Sequence, residues 1–163
     1  MSKKIEAVFI AAPFWSYVNK ETGEFDGPAF TSLSRILEHF DNQGCVVYNA
    51  HRREKWGQAF MEPSEFTPLD YEQICASDVI VALPGSPASP GTHIEIGWAS
   101  ANKVPMVLIL EAGKEYAGLL MGLDKLAPVR TLMVDGDLDL ELLDRAIEEL
   151  LLAASDRQSS TVG

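Results

Sequence analysis

Apolar positions along this chain fall into short continuous runs, separated by stretches in which apolar residues recur every three or four positions. The runs are Glu6–Ala12, Cys45–Ala50, Val79–Pro84, Met106–Leu110 and Arg130–Val134. Unbroken runs such as VIVAL and MVLIL fit strands covered on both faces, as in a parallel sheet with helices on either side. Between the first two runs, Phe30, Leu33, Ile36, Leu37 and Phe40 mark one face of a helix over Ala29–Asp41, which Gly44 ends. Further helices are expected over Pro68–Ala76, Ser89–Lys103, Tyr116–Met121 and Leu138–Ala154. A strand-helix unit repeated along the chain, with right-handed crossovers, gives a single α/β domain over residues 1–154, built on a doubly wound five-stranded parallel sheet. Residues 155–163, which end in DRQSSTVG, are expected to form a disordered tail.

In such sheets ligands lie beyond the carboxyl ends of the strands, where the strand order reverses. The connections to inspect are therefore Ala12–Pro28, His51–Thr67 and Gly85–Pro90. All run near or beyond the ~2–6 residues usual between a strand and its helix, and extra loop length in a compact domain points to function.

Charge narrows the ligand class. Against 24 acidic residues the chain has 13 lysines and arginines, a formal net charge of -11 among 163 residues. Such a surface repels polyanions, so a nucleic-acid polymer is not an expected partner, and an anionic ligand must be small and met locally. Cys45 and Cys75 have neither metal-ligand spacing nor the density of a disulfide scaffold. The start MSKKIEAVFIAA is too short in its apolar run for a signal peptide, and no apolar window of ~18 residues exists to cross a membrane. The expectation is a cytoplasmic protein whose chemistry needs no metal and no cofactor.

Four elements could carry chemistry. In VALPGSPASPGTHIEIGWAS, Gly85 opens a loop in which Ser89 and Pro90 read as the N-cap and first residue of a helix. The amides from Gly91 onward would then point at an anion, and Glu95 would lie more than one turn in. A competing register makes Thr92 the N-cap and Glu95 its capping-box partner, with no role beyond helix stability. Asp70, in PLDYEQICASD, precedes the strand that delivers this loop; it is either the second carboxylate of a glycosidic-bond site or a solvated acid near a helix start. The cluster His51, Arg52, Arg53 and Lys55 in AHRREKWG offers local positive charge for a phosphate, or else a surface ion-pair group. Phe14, Trp15 and Tyr17 follow the first strand, where rings can stack on a nucleobase or belong to the core. Neither a phosphate-binding P-loop nor a dinucleotide-binding glycine motif is present. The H-I-E at His93 lacks the P-C-x-x-C partner of the zinc deaminases, and Trp98 is read as core or subunit contact.

The segments AAPF, LDYEQICASDVIVALPG and SPGTHIEIGWASANKVPMVLIL resemble the nucleoside 2-deoxyribosyltransferase-like superfamily. YNAHRREKWG and PASPGTHIEIGWAS resemble its nucleoside 5'-monophosphate N-glycosidase branch in particular, and the likeness extends from about Ala7 to about Gly122. It implies a flavodoxin-like sheet, cleavage between a pyrimidine base and C1' of a nucleotide such as CMP or 5-hydroxymethyl-CMP, and a homodimer or larger homo-oligomer. It further implies Glu95 as the nucleophile on C1' or the carboxylate that stabilises its cationic transition state, Asp70 as the residue that orients or protonates the leaving base, and Ser89 and Gly91 as the 5'-phosphate site. Phe14 would pack against the base, with Trp15, His51, Arg52, Gly85 and Thr92 also in the binding site. Members that act on hydroxymethyl-CMP carry an arginine directly after the phenylalanine; Trp15 stands there in this chain. The sequence also leaves open a nucleoside 2-deoxyribosyltransferase, a 2'-deoxynucleoside 5'-monophosphate hydrolase, and a nucleotide-binding module without turnover.

Overall fold

The computed structural model describes residues 4–159, with the side chains of Trp15 and of residues 157–159 outside the description. Five parallel strands, β1 (Ala7–Ala11), β2 (Val46–Tyr48), β3 (Val79–Ala82), β4 (Met106–Glu111) and β5 (Val129–Val134), lie in the order 2-1-3-4-5. This is the flavodoxin-like order expected for a doubly wound sheet. Among the described residues six α-helices accompany them, five between strands and the last after β5: α1 (Gly27–Asn42), α2 (Ala50–Arg53), α3 (Pro63–Ala76), α4 (Pro90–Ala101), α5 (Gly118–Met121) and α6 (Leu140–Ser159).

Successive side chains of a strand point to opposite faces, and the two cores follow that alternation. Val8 and Ile10 of β1, Val79 and Val81 of β3 and Val107 of β4 pack with Leu33, Ile36, Leu37 and Phe40 of α1 and with Leu143, Ala146 and Ile147 of α6. Their neighbours Phe9, Ala11, Ile80, Ala82, Met106 and Leu108 face the other way, against Ile74 of α3, Ile96 and Ala99 of α4 and Leu120 of α5. β3 is buried at every position, as its unbroken apolar run requires. Among the described residues no helix is long and apolar enough to cross a membrane.

Three boundaries differ from the sequence expectation. α3 begins at Pro63 rather than Pro68, because Glu62 and Glu65 form a reciprocal capping box and Pro63 occupies the first turn, where its missing amide costs nothing. Pro68 sits inside the helix, and the long His51–Thr67 connection shortens accordingly. A short helix, α2, fills part of that connection, capped by Asn49, whose side chain accepts from the Arg52 amide. α6 continues past Ala154 to Ser159, so the first part of the expected tail is helical, and residues 160–163 lie outside the description. A helix already anchored along its length by Leu143, Ile147 and Leu150 extends cheaply, since each added residue gains a hydrogen bond without a new nucleus.

Because β1 leads to α1 on one face and β3 to α4 on the other, their loops part at the centre of the sheet. The cleft between them lies at the carboxyl ends of β1 and β3, which are paired through Ala11 and Ala82.

Candidate active site at the β1–β3 switch point

The loops after β1, β2 and β3 are tied into one unit by short-range contacts. Asn49 donates through Nδ2 to the Ile10 carbonyl at 2.9 Å, linking β2 to the end of β1. His51 Nε2 lies 3.2 Å from the Pro13 carbonyl and Nδ1 lies 3.5 Å from Asn49 Nδ2, which is the arrangement of a neutral ring with its proton on Nε2. Gly85 has φ +81, and a Cβ there would stand 2.8 Å from Pro13 Cγ. Only glycine lets the β3 loop turn this closely over the β1 loop.

Aromatic side chains form one wall of the unit. Phe14 stacks on His51 (ring centroids 4.8 Å apart, interplanar angle 23°) and meets the edge of Phe25 at 5.3 Å. His51 is 1% exposed, and Tyr17 stacks on it at 5.6 Å. Burial pushes its imidazole down to about 4, so it is uncharged at neutral pH. The structure therefore places His51 inside the wall, packed against Phe14, with its ring nitrogens engaged by Pro13 and Asn49. Phe14 is half-buried, and the Trp15 side chain lies outside the described residues.

The register of α4 decides between the two readings of Glu95. Ser89 is the N-cap: its Oγ accepts from the Thr92 amide at 3.4 Å and from Thr92 Oγ1 at 3.1 Å, and Pro90 occupies the first turn. Thr92 is inside the helix and buried, so the T-x-x-E capping box is not formed. His93 Nδ1 donates to the Ser89 carbonyl at 2.7 Å and braces the same turn. Gly91 is exposed with nothing within 4 Å of a would-be Cβ, which leaves its amide open at the positive end of the helix. Glu95 takes no hydrogen bond from any described residue. Burial first, then the negative charge of Asp70, push its carboxyl up to about 8, against a smaller opposing pull from Arg53.

Asp70 is 6% exposed on the third turn of α3, and so is no solvated acid near a helix start. Its Oδ1 accepts from Arg53 Nη1 at 2.6 Å, and the same nitrogen lies 3.4 Å from Gln73 Oε1. Burial raises the Asp70 carboxyl above its ordinary range, while the bond and the charge of Arg53 pull it back down. Glu54, also buried, places Oε1 3.9 Å from Arg53 Nη2.

The basic cluster is thus divided. Arg52 forms a fork on Asp41 at 3.0 and 2.8 Å on the exposed side of α1, which is the surface ion-pair alternative. Arg53 is the guanidinium brought to the carboxylates. Sequence reasoning weighed both arginines together, as phosphate ligands or as a surface ion-pair group, and it gave Asn49, Glu54 and Gln73 no role. A signal for the division existed: an asparagine directly before AHRR is an N-cap, and consecutive residues of a helical turn point about 100° apart, so the two arginines cannot face the same way. Among the described residues no group of three or more His, Cys, Asp or Glu side chains is placed to hold a metal ion.

No protein-family model matches the chain, and no curated protein sequence matches it. Solved structures do match. The chain is 42% identical to BlsM, whose structure was determined in solution, over 96% of this chain and 95% of that one, with a TM-score of 0.74. It is 31% identical to BcmB, a CMP N-glycosidase of Clostridium botulinum, over 91% of this chain and 98% of that one, with a TM-score of 0.60. With identity at this level across nearly the whole of both chains, and a fold of the expected strand order, the chain belongs to the nucleoside 5'-monophosphate N-glycosidase branch of the nucleoside 2-deoxyribosyltransferase-like superfamily.

Proposed function

We propose that the protein hydrolyses the bond between base and sugar in a pyrimidine nucleoside 5'-monophosphate, CMP or a 5-substituted CMP, giving the free base and ribose 5-phosphate. The observation that carries this reading is Glu95: a half-buried carboxyl that takes no hydrogen bond from a described residue and is raised to about 8 by burial and by the charge of Asp70, on the helix that starts at Ser89. A carboxyl shifted this far by burial and a like charge, and fixed by no bond of its own, is suited to react.

The steps balance as follows. The Ser89 hydroxyl and the Gly91 amide hold the 5'-phosphate at the start of α4, and Thr92 fixes the Ser89 hydroxyl in place. Phe14, backed by His51, meets the base. Glu95, its carboxyl raised to about 8, gives its proton to Asp70, whose ionised form Arg53 favours against the larger raising effect of burial. The Glu95 carboxylate then attacks C1' as the glycosidic C–N bond breaks, its electron pair passing to the base, which takes the proton from Asp70. Water next attacks C1' of the ester, releases the Glu95 carboxylate and gives a proton to Asp70, which passes it back to Glu95, so the site returns to its starting state. No cofactor or metal enters these steps. Trp15, where hydroxymethyl-CMP enzymes have arginine, favours CMP over its hydroxymethylated form, since a ring cannot supply a guanidinium's hydrogen bonds.

The protein is proposed to work as a homodimer. α4 is apolar on its outward side too, with Ile94 54% exposed, and Trp98 meets Tyr71 of α3 edge-on beside it. A second copy is the natural cover for such a face. The two unpaired thiols suit a cytoplasmic setting.

Incubation with a panel of ribo- and deoxyribonucleoside monophosphates, with chromatography for free base, tests the reading. Release of cytosine from CMP is expected; preferential release from a deoxyribonucleotide, or base exchange when a second base is added, moves the protein to the hydrolase or transferase alternatives. Binding without release identifies a nucleotide-binding module.

A further inference from the structure

The Arg53 guanidinium is only half used. Nη1 serves Asp70 and Gln73, whereas Nε and Nη2 are sealed from solvent without a hydrogen-bond acceptor. Such orphaned donors are rare in folded proteins and need a reason. Two acidic side chains on separate segments lie against this cation, Glu54 just beyond α2 at 3.9 Å and Asp70 on α3 at 2.6 Å, and its charge pulls on a third, Glu95 on α4. Only Asp70 is bonded to it, through Oδ1, and Asp70 Oδ2 takes no hydrogen bond from a described residue. The guanidinium's shortest contact therefore fixes Oδ1 of Asp70 and leaves Oδ2 unbonded.

We propose, resting on the glycosidase reading above, that Arg53 is the positioning residue for departure of the base: it acts through Asp70, clamping Oδ1 so that Oδ2 is the oxygen that accepts and returns the proton. Arg53 does not bind the phosphate. It opposes burial at Asp70 and at Glu95 alike, so its loss leaves both carboxyls protonated to higher pH. Glu54, raised in part by the charge of Asp70, stays in the cluster as a like charge. A lysine would keep the charge but not the planar fork.

Arg53→Gln and Arg53→Lys test this, each read by kcat and KM for base release from CMP across pH and by carbon-13 NMR titration of the carboxyl groups without substrate. Arg53→Gln is expected to lower kcat about 100-fold while KM stays within about threefold, and to move the Asp70 titration and the acid limb of the rate profile to higher pH. Arg53→Lys is expected to recover about tenfold of that kcat, with the titration moved most of the way back. A raised KM with kcat unchanged would make Arg53 a substrate ligand and overturn the proposal. So would unaltered titration and pH profile with only a lower Tm. If Arg53→Gln fails to fold, Arg53→Lys alone decides: wild-type kcat and pH profile refute the clamp. Should the wild type release no base from any nucleotide, the glycosidase reading fails, while the NMR titration still decides whether Arg53 governs Asp70.

Discussion

Arg52 and Arg53 are neighbours in sequence, and each ends in an ion pair with an aspartate, yet the two pairs occupy different physical worlds. Arg52 and Asp41 meet where both side chains are more than a third exposed, and water screens them. Such a pair contributes about 0–1 kcal/mol. Arg53 and Asp70 meet where both are mostly covered, with two further acidic residues nearby and two guanidinium nitrogens left without acceptors. Removing one partner of a buried pair costs about 3–5 kcal/mol, chiefly because the other charge is stranded. The difference teaches that the interior cluster is a poor device for stability, which is the pattern that the proposed catalytic role accounts for.

Four perturbations break or sharpen this contrast, from the largest expected effect to the smallest. Asp70→Asn removes the proton carrier and strands Arg53, so base release should fall about 1000-fold; activity within tenfold of wild type would show that the interior pair is not chemical. Glu95→Gln removes a buried acid whose carboxyl sits at about 8 in the folded protein against 4.5 ordinarily. A raised carboxyl pKa means that stability declines as pH climbs from the unfolded value through the folded one. The variant should therefore be more stable than wild type at pH 9 by on the order of a few kcal/mol and melt higher, and the gap should close near pH 4. Equal melting temperatures at pH 9 would contradict the burial of charge.

His51 carries the opposite sign. Its pKa is depressed from 6.5 to about 4, so its contribution is fully present above 6.5 and is lost as pH falls toward 4. Urea titrations should show about 3 kcal/mol of acid sensitivity over that window, absent in His51→Phe; the same slope in both proteins would remove His51 as its source. Arg52→Ala should change stability by less than about 0.5 kcal/mol and base release by less than about twofold. A large rise in KM for that variant would restore Arg52 as a phosphate ligand and erase the contrast.

Much of the fold was legible in the sequence because its signals are local and periodic. The VIVAL and MVLIL runs mark buried strands, and the stripe from Leu33 to Phe40 marks α1, with no need to know what they pack against. Ser89 and Pro90 likewise announce a helix start, although Thr92 offered an equally good local signal, and only the packed structure chose between them. The start of α3 was misread because Pro68 looks like a boundary, whereas the stronger device is the Glu62–Glu65 capping box together with Pro63. The role of Arg53 was not legible, since it depends on bringing α2 against α3, a contact made only in three dimensions. His51 shows the same limit from the other side: a polar ring beside a cleft reads as a ligand contact, but its burial and its bond to Pro13 make it part of the wall behind Phe14.

The measurement that tests the central claim most directly is base release from CMP by wild-type protein and by Glu95→Gln, with Tm recorded for both at the same pH. The account predicts cytosine and ribose 5-phosphate in equal amounts from the wild type, and at least about 1000-fold slower release from a variant that melts no lower. Release by Glu95→Gln at a rate within tenfold of wild type would contradict it.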